Sequence, residues 1–257
     1  MDEAIQPINV QSAKQKIKSY SHNPGSLILA GLVGLAALLT VLTLVFIVGY
    51  ILIKGIPNLT PELFQLEYNS ENVSMFPAII NTICMTVLSL LIAGPLGILA
   101  AVYLVEYAKK GNKLVSLVRV TAETLTGIPS IVYGLFGMLF FVTTLHWGYS
   151  MLAGAFTLAI MVLPVIMRTT EEALLSVPDT FREASFGLGA GRLRTIFVVI
   201  LPSAVPGIFS GVILSIGRIV GETAALMYTA GTVAKVPSSV MGSGRTLAVC
   251  AYVFPGK

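Results

Sequence analysis

Two charged residues lie four positions apart in an otherwise apolar part of the sequence. Arg218 and Glu222 are the only charged side chains between Ser203 and Gly231. A charge inside a membrane helix costs about 2.5 to 3.5 kcal/mol on insertion scales, and it usually marks a transport path or a buried pair. The spacing therefore favours one of two interpretations: Arg218 faces a path for an anion, or Arg218 and Glu222 neutralise each other and hold helices together.

Small and polar residues recur around this pair at helical spacing. At about 100° per residue, seven of them fall on a stripe roughly 80° wide if the segment is one continuous helix. The stripe predicts a face that admits a close neighbour along the path. Its members are Gly207, Gly211, Ser215, Arg218, Glu222, Ala225 and Thr229.

A second polar feature, residues 168–202, separates two strongly apolar segments. It reads RTTEEALLSVPDTFREASFGLGAGRLRTIFVVILP. Thr169 to Leu175 is rich in helix formers, Pro178 ends that run, and Asp179 is predicted to cap a second helix that begins near Thr180. The closely spaced glycines that follow predict a sharp turn. A structured polar element between membrane segments indicates a docking surface for a partner in water.

The elements that position both features are membrane helices. The 257 residues are 55% hydrophobic and 11% charged, with a mean hydropathy of +0.87, which is typical of an integral membrane protein. Residues 1–26 are predicted to form a polar tail, 75–231 the core and 232–257 an extracytoplasmic segment. The predicted spans are 27–53, 76–107, 120–145, 151–167 and 203–231, with the third broken at Gly127 to Pro129.

The basic residues orient these helices, so the net charge of +4 does not indicate nucleic-acid binding. With the N-terminus inside, 11 of the 16 Lys and Arg residues lie on the inner side, four lie outside, and Arg218 lies within a span. This distribution predicts a cytoplasmic N-terminus and a cytoplasmic polar element. The inner residues are Lys14, Lys16, Lys18, Lys109, Lys110, Lys113, Arg119, Arg168, Arg182, Arg192 and Arg194.

Several enzyme signatures are missing from the sequence. It has no phosphate-cradling loop that ends in Gly-Lys-Ser/Thr, and no Ser/His/Asp arrangement is evident. Cys84, Cys250 and two isolated histidines give neither a metal cluster nor a disulfide framework. The sequence therefore predicts a transporter component or channel rather than an enzyme.

The polar element resembles the coupling motif of bacterial ABC-importer permeases. Glu183, Ala184 and Ser185 are followed after three residues by Gly189, and after nine more by Val199, Ile200, Leu201 and Pro202. The sequence departs from the motif by Ser for the second Ala and Val for Ile. Within these permeases it is most similar to the A-type permeases of phosphate-specific transport systems, through Glu123–Gly137, Arg182–Gly189 and Gly217–Gly231.

This resemblance implies an all-α bundle of the type I ABC-importer permease class in a bacterial or archaeal cell membrane. Five transmembrane helices are expected here, with a sixth missing at the C-terminus, so the chain resembles a truncated permease. The expected partners are a second permease, usually of the C type, two ATP-binding subunits and an extracytoplasmic phosphate-binding protein. No cofactor is expected in this chain, since ATP and Mg would bind to the ATP-binding subunits.

The resemblance also implies residue roles. Glu183, Ala184, Ser185, Gly189, Leu201 and Pro202 would couple to the ATP-binding subunits, while Arg218, Glu222, Ser215 and Thr229 would line the substrate path. A guanidinium can receive phosphate oxygens through two parallel hydrogen bonds. Two alternatives stay open: a permease for sulfate, molybdate or an amino acid, and an ATP-independent channel or carrier in which the polar element is a gate.

Overall fold

A computed structural model of the chain describes residues 24–65, 68–69, 74–109 and 111–253. All regular secondary structure within these ranges is helical. Residues 1–23 of the predicted tail and residues 254–257 of the predicted C-terminal segment lie outside the described residues. The chain divides into two compact units, residues 1–60 and 61–257.

The first unit contains one long helix, α1 (Pro24–Gly55), followed by a 3₁₀ turn at Ile56–Asn58. At 1.5 Å per residue, its 32 residues extend roughly 48 Å, which exceeds the hydrocarbon thickness of a bilayer. The hydroxyls of Thr40 and Thr43 donate to backbone carbonyls four residues earlier, so these polar groups are satisfied within the helix.

The second unit holds the remaining helices. Tyr103–Tyr107, Met138–Thr144 and Ile196–Ile200 are π-helical extensions, and Pro61–Phe64 is a 3₁₀ turn. The α-helices are α2 (Phe76–Val102), α3 (Lys113–Thr126), α4 (Ser130–Gly137), α5 (Met151–Leu175), α6 (Asp179–Gly187), α7 (Arg192–Thr195), α8 (Leu201–Val220), α9 (Ala224–Thr229) and α10 (Leu247–Val253).

Four continuous helical stretches are long and apolar enough to cross a membrane: Gly25–Asn58, Phe76–Tyr107, Met151–Leu175 and Arg192–Val220. A fifth span is possible if α3 and the helical stretch Ser130–Thr144 are counted as one, although the two are bent by 101° at a short break. The break has a local cause, because a residue before proline is disfavoured in the α region and Pro129 then precedes the first residue of α4.

The core of the second unit is built around α5, which packs against α2 and α8. Met85, Leu158, Met161 and Ile166 are fully buried there. The hydroxyl of Thr82 accepts the backbone N–H of Leu247 at 2.9 Å, which holds the start of α10 against α2. Apolar burial and a few satisfied polar contacts thus fix the bundle that positions the two polar features.

The structure corrects three predictions about helix limits. α5 continues through Arg168 to Leu175, so the polar element begins as part of a spanning helix rather than as a separate short one. Asp179 does not cap α6, because it is the first residue of the helix and its carboxylate accepts a hydrogen bond from Arg182 instead. α8 ends at Val220, so the seven-residue stripe does not lie on one continuous helix.

Candidate functional site

The first site is the coupling element, defined as residues 179–195, which comprises α6, a tight turn and α7. Gly189 has a φ of +80°, a left-handed conformation that glycine adopts without steric cost. The backbone N–H groups of Leu188, Gly189 and Ala190 donate to carbonyls of the last turns of α6. The chain therefore reverses sharply and returns to the membrane through α7.

Buried hydroxyls join the two arms of the coupling element. Ser185 on α6 and Thr195 on α7 lie 2.8 Å apart, oxygen to oxygen, and both residues are buried. Thr195 also donates to the carbonyl of Gly191 at 3.2 Å. Ser185 therefore faces inward and stabilises the turn, whereas its neighbours in the motif face outward.

Arg182 anchors α6 to the ends of two spanning helices. Its Nε and Nη2 donate to Glu106 Oε1 at 3.1 and 2.7 Å, and Nη1 donates to Asp179 Oδ1 at 3.1 Å. It also donates to the carbonyls of Leu174 and Val177, near the C-terminal end of α5. The side chains of Arg182 and Glu106 are only 16% and 9% exposed, so this ion pair is largely shielded from water.

The outer face of the coupling element is both exposed and apolar. Leu188 is 90% exposed at the tip of the turn, and Phe181 and Phe186 are each about half exposed. Glu183, Ala184 and Gly189 are also exposed, so three of the predicted coupling residues are accessible to a partner. Leu201 and Pro202 lie apart from it, at the start of α8.

The second site is a cavity beside α8, which we call the Arg218 cavity. Gly207 approaches Ala173 and Gly211 approaches Thr169, so α8 runs antiparallel to α5. Continuing that register places Arg218 level with the middle of α5. Arg218 is partly buried. The cavity is lined by Arg218, Arg168, Glu172, Thr126 and Thr169, together with apolar residues and Gly217.

Arg168 is a residue of this cavity that sequence reasoning assigned only to the polar element. Its Nε donates to Glu172 Oε1 at 3.3 Å, and its Nη1 donates to Glu123 Oε1 at 3.4 Å. The four-residue spacing to Glu172 was the available signal, since residues four apart share a helix face. Arg168 and Arg218 therefore line one cavity between α3, α5 and α8, in which Arg168 is exposed and bound to two carboxylates.

The three other predicted path residues occupy different settings. The Ser215 and Thr229 hydroxyls are buried and donate to the carbonyls of Gly211 and Ala225, at 2.9 and 2.8 Å. Glu222 Oε1 accepts the backbone N–H of Ala225 at 3.1 Å, at the start of α9. Within the described part of the chain no ion pair joins Arg218 and Glu222, because the helix break at Gly221 separates them.

No metal centre accompanies these sites in the described residues, where no group of three or more His, Cys, Asp or Glu side chains is placed to hold an ion. Cys84 and Cys250 are both free thiols. Most of the charged side chains described above bind one another or the backbone, which suits recognition and docking.

The coupling element connects two helical stretches that are long and apolar enough to cross a membrane, and the Arg218 cavity lies between α3, α5 and α8. This construction is that of a membrane permease. Residues 93–255 match the family described as "Binding-protein-dependent transport system inner membrane component", and the chain belongs to that family. The predicted class of protein is thereby confirmed.

Individual relatives and one solved structure agree with this assignment. The chain is 38% identical over 203 residues to the probable ABC transporter permease protein YqgI of Bacillus subtilis, covering 78% of this chain and 69% of YqgI. It is 42% identical over 189 residues to the phosphate transport system permease protein PstA of Pasteurella multocida, covering 73% of this chain and 67% of PstA. The fold matches an inward-facing structure of the MetNI methionine ABC transporter, with a TM-score of 0.50 and 22% identity over 70% of this chain and 77% of that one.

Proposed function

We propose that this chain is a permease subunit of an ATP-driven importer of inorganic phosphate. The proposal that the substrate is phosphate rests on the 42% identity to a PstA phosphate permease over 189 residues. A cavity lined by Arg218 at the level of the middle of α5, with the ion-paired Arg168 beside it, suits a small oxyanion, because guanidinium binds such oxygens through parallel hydrogen bonds.

In this proposal Arg218 contacts the anion directly. Glu222 holds the start of α9 and so fixes the helix break beside Arg218. Ser215 and Thr229, whose hydroxyls are already bonded within their own helices, shape the walls of the path rather than supply donors to the substrate. Arg218 is therefore the residue whose loss affects substrate transport most.

The coupling element is proposed to dock in a groove of a cytoplasmic ATP-binding subunit. Glu183, Ala184 and Gly189 are exposed, as is Leu188 at the tip of the turn, and burial of such an apolar tip by a partner is favourable. Ser185 supports that face from inside, while Leu201 and Pro202 lie beyond the coupling element, at the start of α8. ATP and Mg bind on two such partner subunits, so this chain is not itself the ATPase.

The complete importer also contains a second permease, which we propose to be of the C type, and an extracytoplasmic phosphate-binding protein. The coupling element and the N-terminus face the cytoplasm. The charge distribution supports this orientation, because Arg182, Arg192 and Arg194 all lie in the coupling element.

The experiment that tests the proposal is uptake of labelled phosphate by proteoliposomes that contain the four-component importer and internal ATP. Uptake that requires this chain, the binding protein and ATP, and that excess sulfate or molybdate leaves unchanged, is the expected result. Uptake suppressed by sulfate or molybdate would instead assign the chain to another oxyanion. Uptake without ATP would show a channel or carrier.

A further inference from the structure

The coupling element is attached to α2 by side-chain contacts, although the two are distant in the sequence. α2 continues into the π-helical segment Tyr103–Tyr107, which we count here as its end; this segment is more than 70 residues from α6 in sequence and contains Glu106. Arg182 on α6 binds the Glu106 carboxylate through two nitrogens. The contact is shielded from water, and removal of one partner of such a pair leaves a buried charge.

The other arm of the coupling element holds the same short segment. Arg192 Nη2 on α7 donates to the backbone carbonyl of Glu106, and the Arg192 guanidinium lies 4.9 Å from the centroid of the Tyr107 ring. The last carbonyls of a helix have no partner within the helix, so the end of α2 offers an acceptor that an arginine satisfies. The two arms together therefore bind two adjacent residues at the end of α2. Arg182 on α6 binds Glu106, and Arg192 on α7 contacts Glu106 and Tyr107.

The two arms are in turn bonded to each other through Ser185 and Thr195, 2.8 Å apart. Contacts from α6 and α7 to one segment, closed by a bond between α6 and α7, resist relative motion in more than one direction. Residues Glu106, Tyr107, Arg182 and Arg192 form what we call the α2 clamp.

We propose that the α2 clamp makes α2 move as one body with the coupling element, so that displacement of the coupling element by the ATP-binding subunits is transmitted directly to a spanning helix. Glu106 and Arg182 are positioning residues in this role, since they act through α2 rather than on the substrate. The inference rests on the proposed docking of the coupling element to ATP-binding subunits, and it does not depend on which substrate is carried.

The test is a distance measurement by pulsed electron paramagnetic resonance on the assembled complex. Spin labels are placed at Tyr103 on α2 and Thr180 on α6, both exposed, after Cys84→Ser and Cys250→Ser have removed the native thiols. The inter-label distance is expected to be the same in the nucleotide-free and ATP-trapped states. With Glu106→Gln, which keeps the side-chain shape but removes the charge, we expect the distribution to broaden at least twofold or its mean to shift on ATP trapping.

Asp179→Asn is the matched control, because Asp179 binds the same guanidinium but its side chain is 86% exposed. This variant should keep the unaltered distance in both states. A distance that changes on ATP trapping without the Glu106 substitution, or a Glu106→Gln complex that matches the control, would overturn the inference. Phosphate uptake by the same unaltered complex is recorded separately, so failure of the proposed substrate is distinguished from failure of the clamp.

Discussion

The coupling element and the interior of the bundle are held together by opposite means. In the coupling element, Arg182 and Arg192 reach across to another helix through long charged side chains. In the bundle, Gly207 and Gly211 let α8 approach α5 so closely that a Cβ at Gly211 would overlap the Thr169 side chain. Directional bonds fix the coupling element, whereas apolar burial and close approach at glycines fix the packing of α8 on α5.

This contrast teaches where each kind of substitution does damage. Near water, loss of a charge matters only if the group is shielded. Inside the bundle, gain of a single methyl group matters if the neighbour is backbone or a short side chain.

Arg182→Met should be the most destabilising of these changes. It leaves Glu106 as an uncompensated carboxylate in a site where that side chain is only 9% exposed, which should cost about 3 to 5 kcal/mol. Unfolding in mixed detergent micelles measures the loss. Asp179→Asn, at an exposed partner of the same arginine, should cost less than about 1 kcal/mol. Equal losses for the two variants would contradict the distinction between shielded and exposed pairs.

Gly211→Ala should lower the free energy of unfolding and Gly217→Ala should raise it, although both glycines lie on α8. The methyl group at Gly211 overlaps Thr169, and overpacking of this kind costs about 1 to 3 kcal/mol. At Gly217, apart from the adjoining residues and nearby backbone of α8 itself, no atom of the described residues lies within 4 Å of the new Cβ, so alanine should stabilise the helix by about 0.5 to 1 kcal/mol. The same unfolding measurement compares them, and matching changes would refute close packing at Gly211.

Glu222→Ala should weaken the start of α9. It removes the acceptor for the Ala225 N–H, and loss of such a capping contact costs about 0.5 to 2 kcal/mol. Glu222→Gln keeps a side-chain oxygen at that position and should retain most of the stability. If Glu222→Gln is as unstable as Glu222→Ala, the charge rather than the hydrogen bond is the stabilising feature, and the capping interpretation is wrong.

Ser185→Ala should have the smallest effect, although it restores the second Ala of the coupling motif. It removes the hydroxyl pair with Thr195 and should cost about 0.5 to 1.5 kcal/mol. Thr195 keeps its bond to the Gly191 carbonyl, so no orphaned donor is left. We expect ATP-dependent transport to continue near its normal rate in this variant. A loss above tenfold would show that the hydroxyl has a role beyond the turn.

Much of the fold could be predicted because membrane spans are encoded locally. Apolar runs of sufficient length predicted the helical bundle, and the motif from Glu183 to Pro202 predicted the permease class, which the comparisons confirm. The helix break at Gly221 was missed because an angular projection assumes continuity and the apolar run itself continues past that point. Asp179 was predicted as a cap because its residue type favours caps, but Pro178 occupies the cap position.

The clamp on α2 could not be predicted, because its partners are distant in sequence. Glu106 precedes Arg182 by 76 residues, and no periodicity connects them. The same holds for the Arg218 cavity, in which Arg168 and Arg218 come from helices whose register depends on small residues packing against each other. Local sequence patterns indicate which residues could form a site, while tertiary packing determines which of them come into contact.

The most direct test of the account compares labelled-phosphate uptake by importers that carry Arg218→Gln and Lys113→Gln. Both changes remove one positive charge, but only Arg218 faces the cavity, and Lys113 is exposed at the start of α3. We expect Arg218→Gln to lower uptake at least tenfold while the ATP-binding subunits still co-purify, and Lys113→Gln to leave uptake unchanged. Uptake at the full rate with Arg218→Gln would show that Arg218 only packs the bundle and would contradict the proposed anion path.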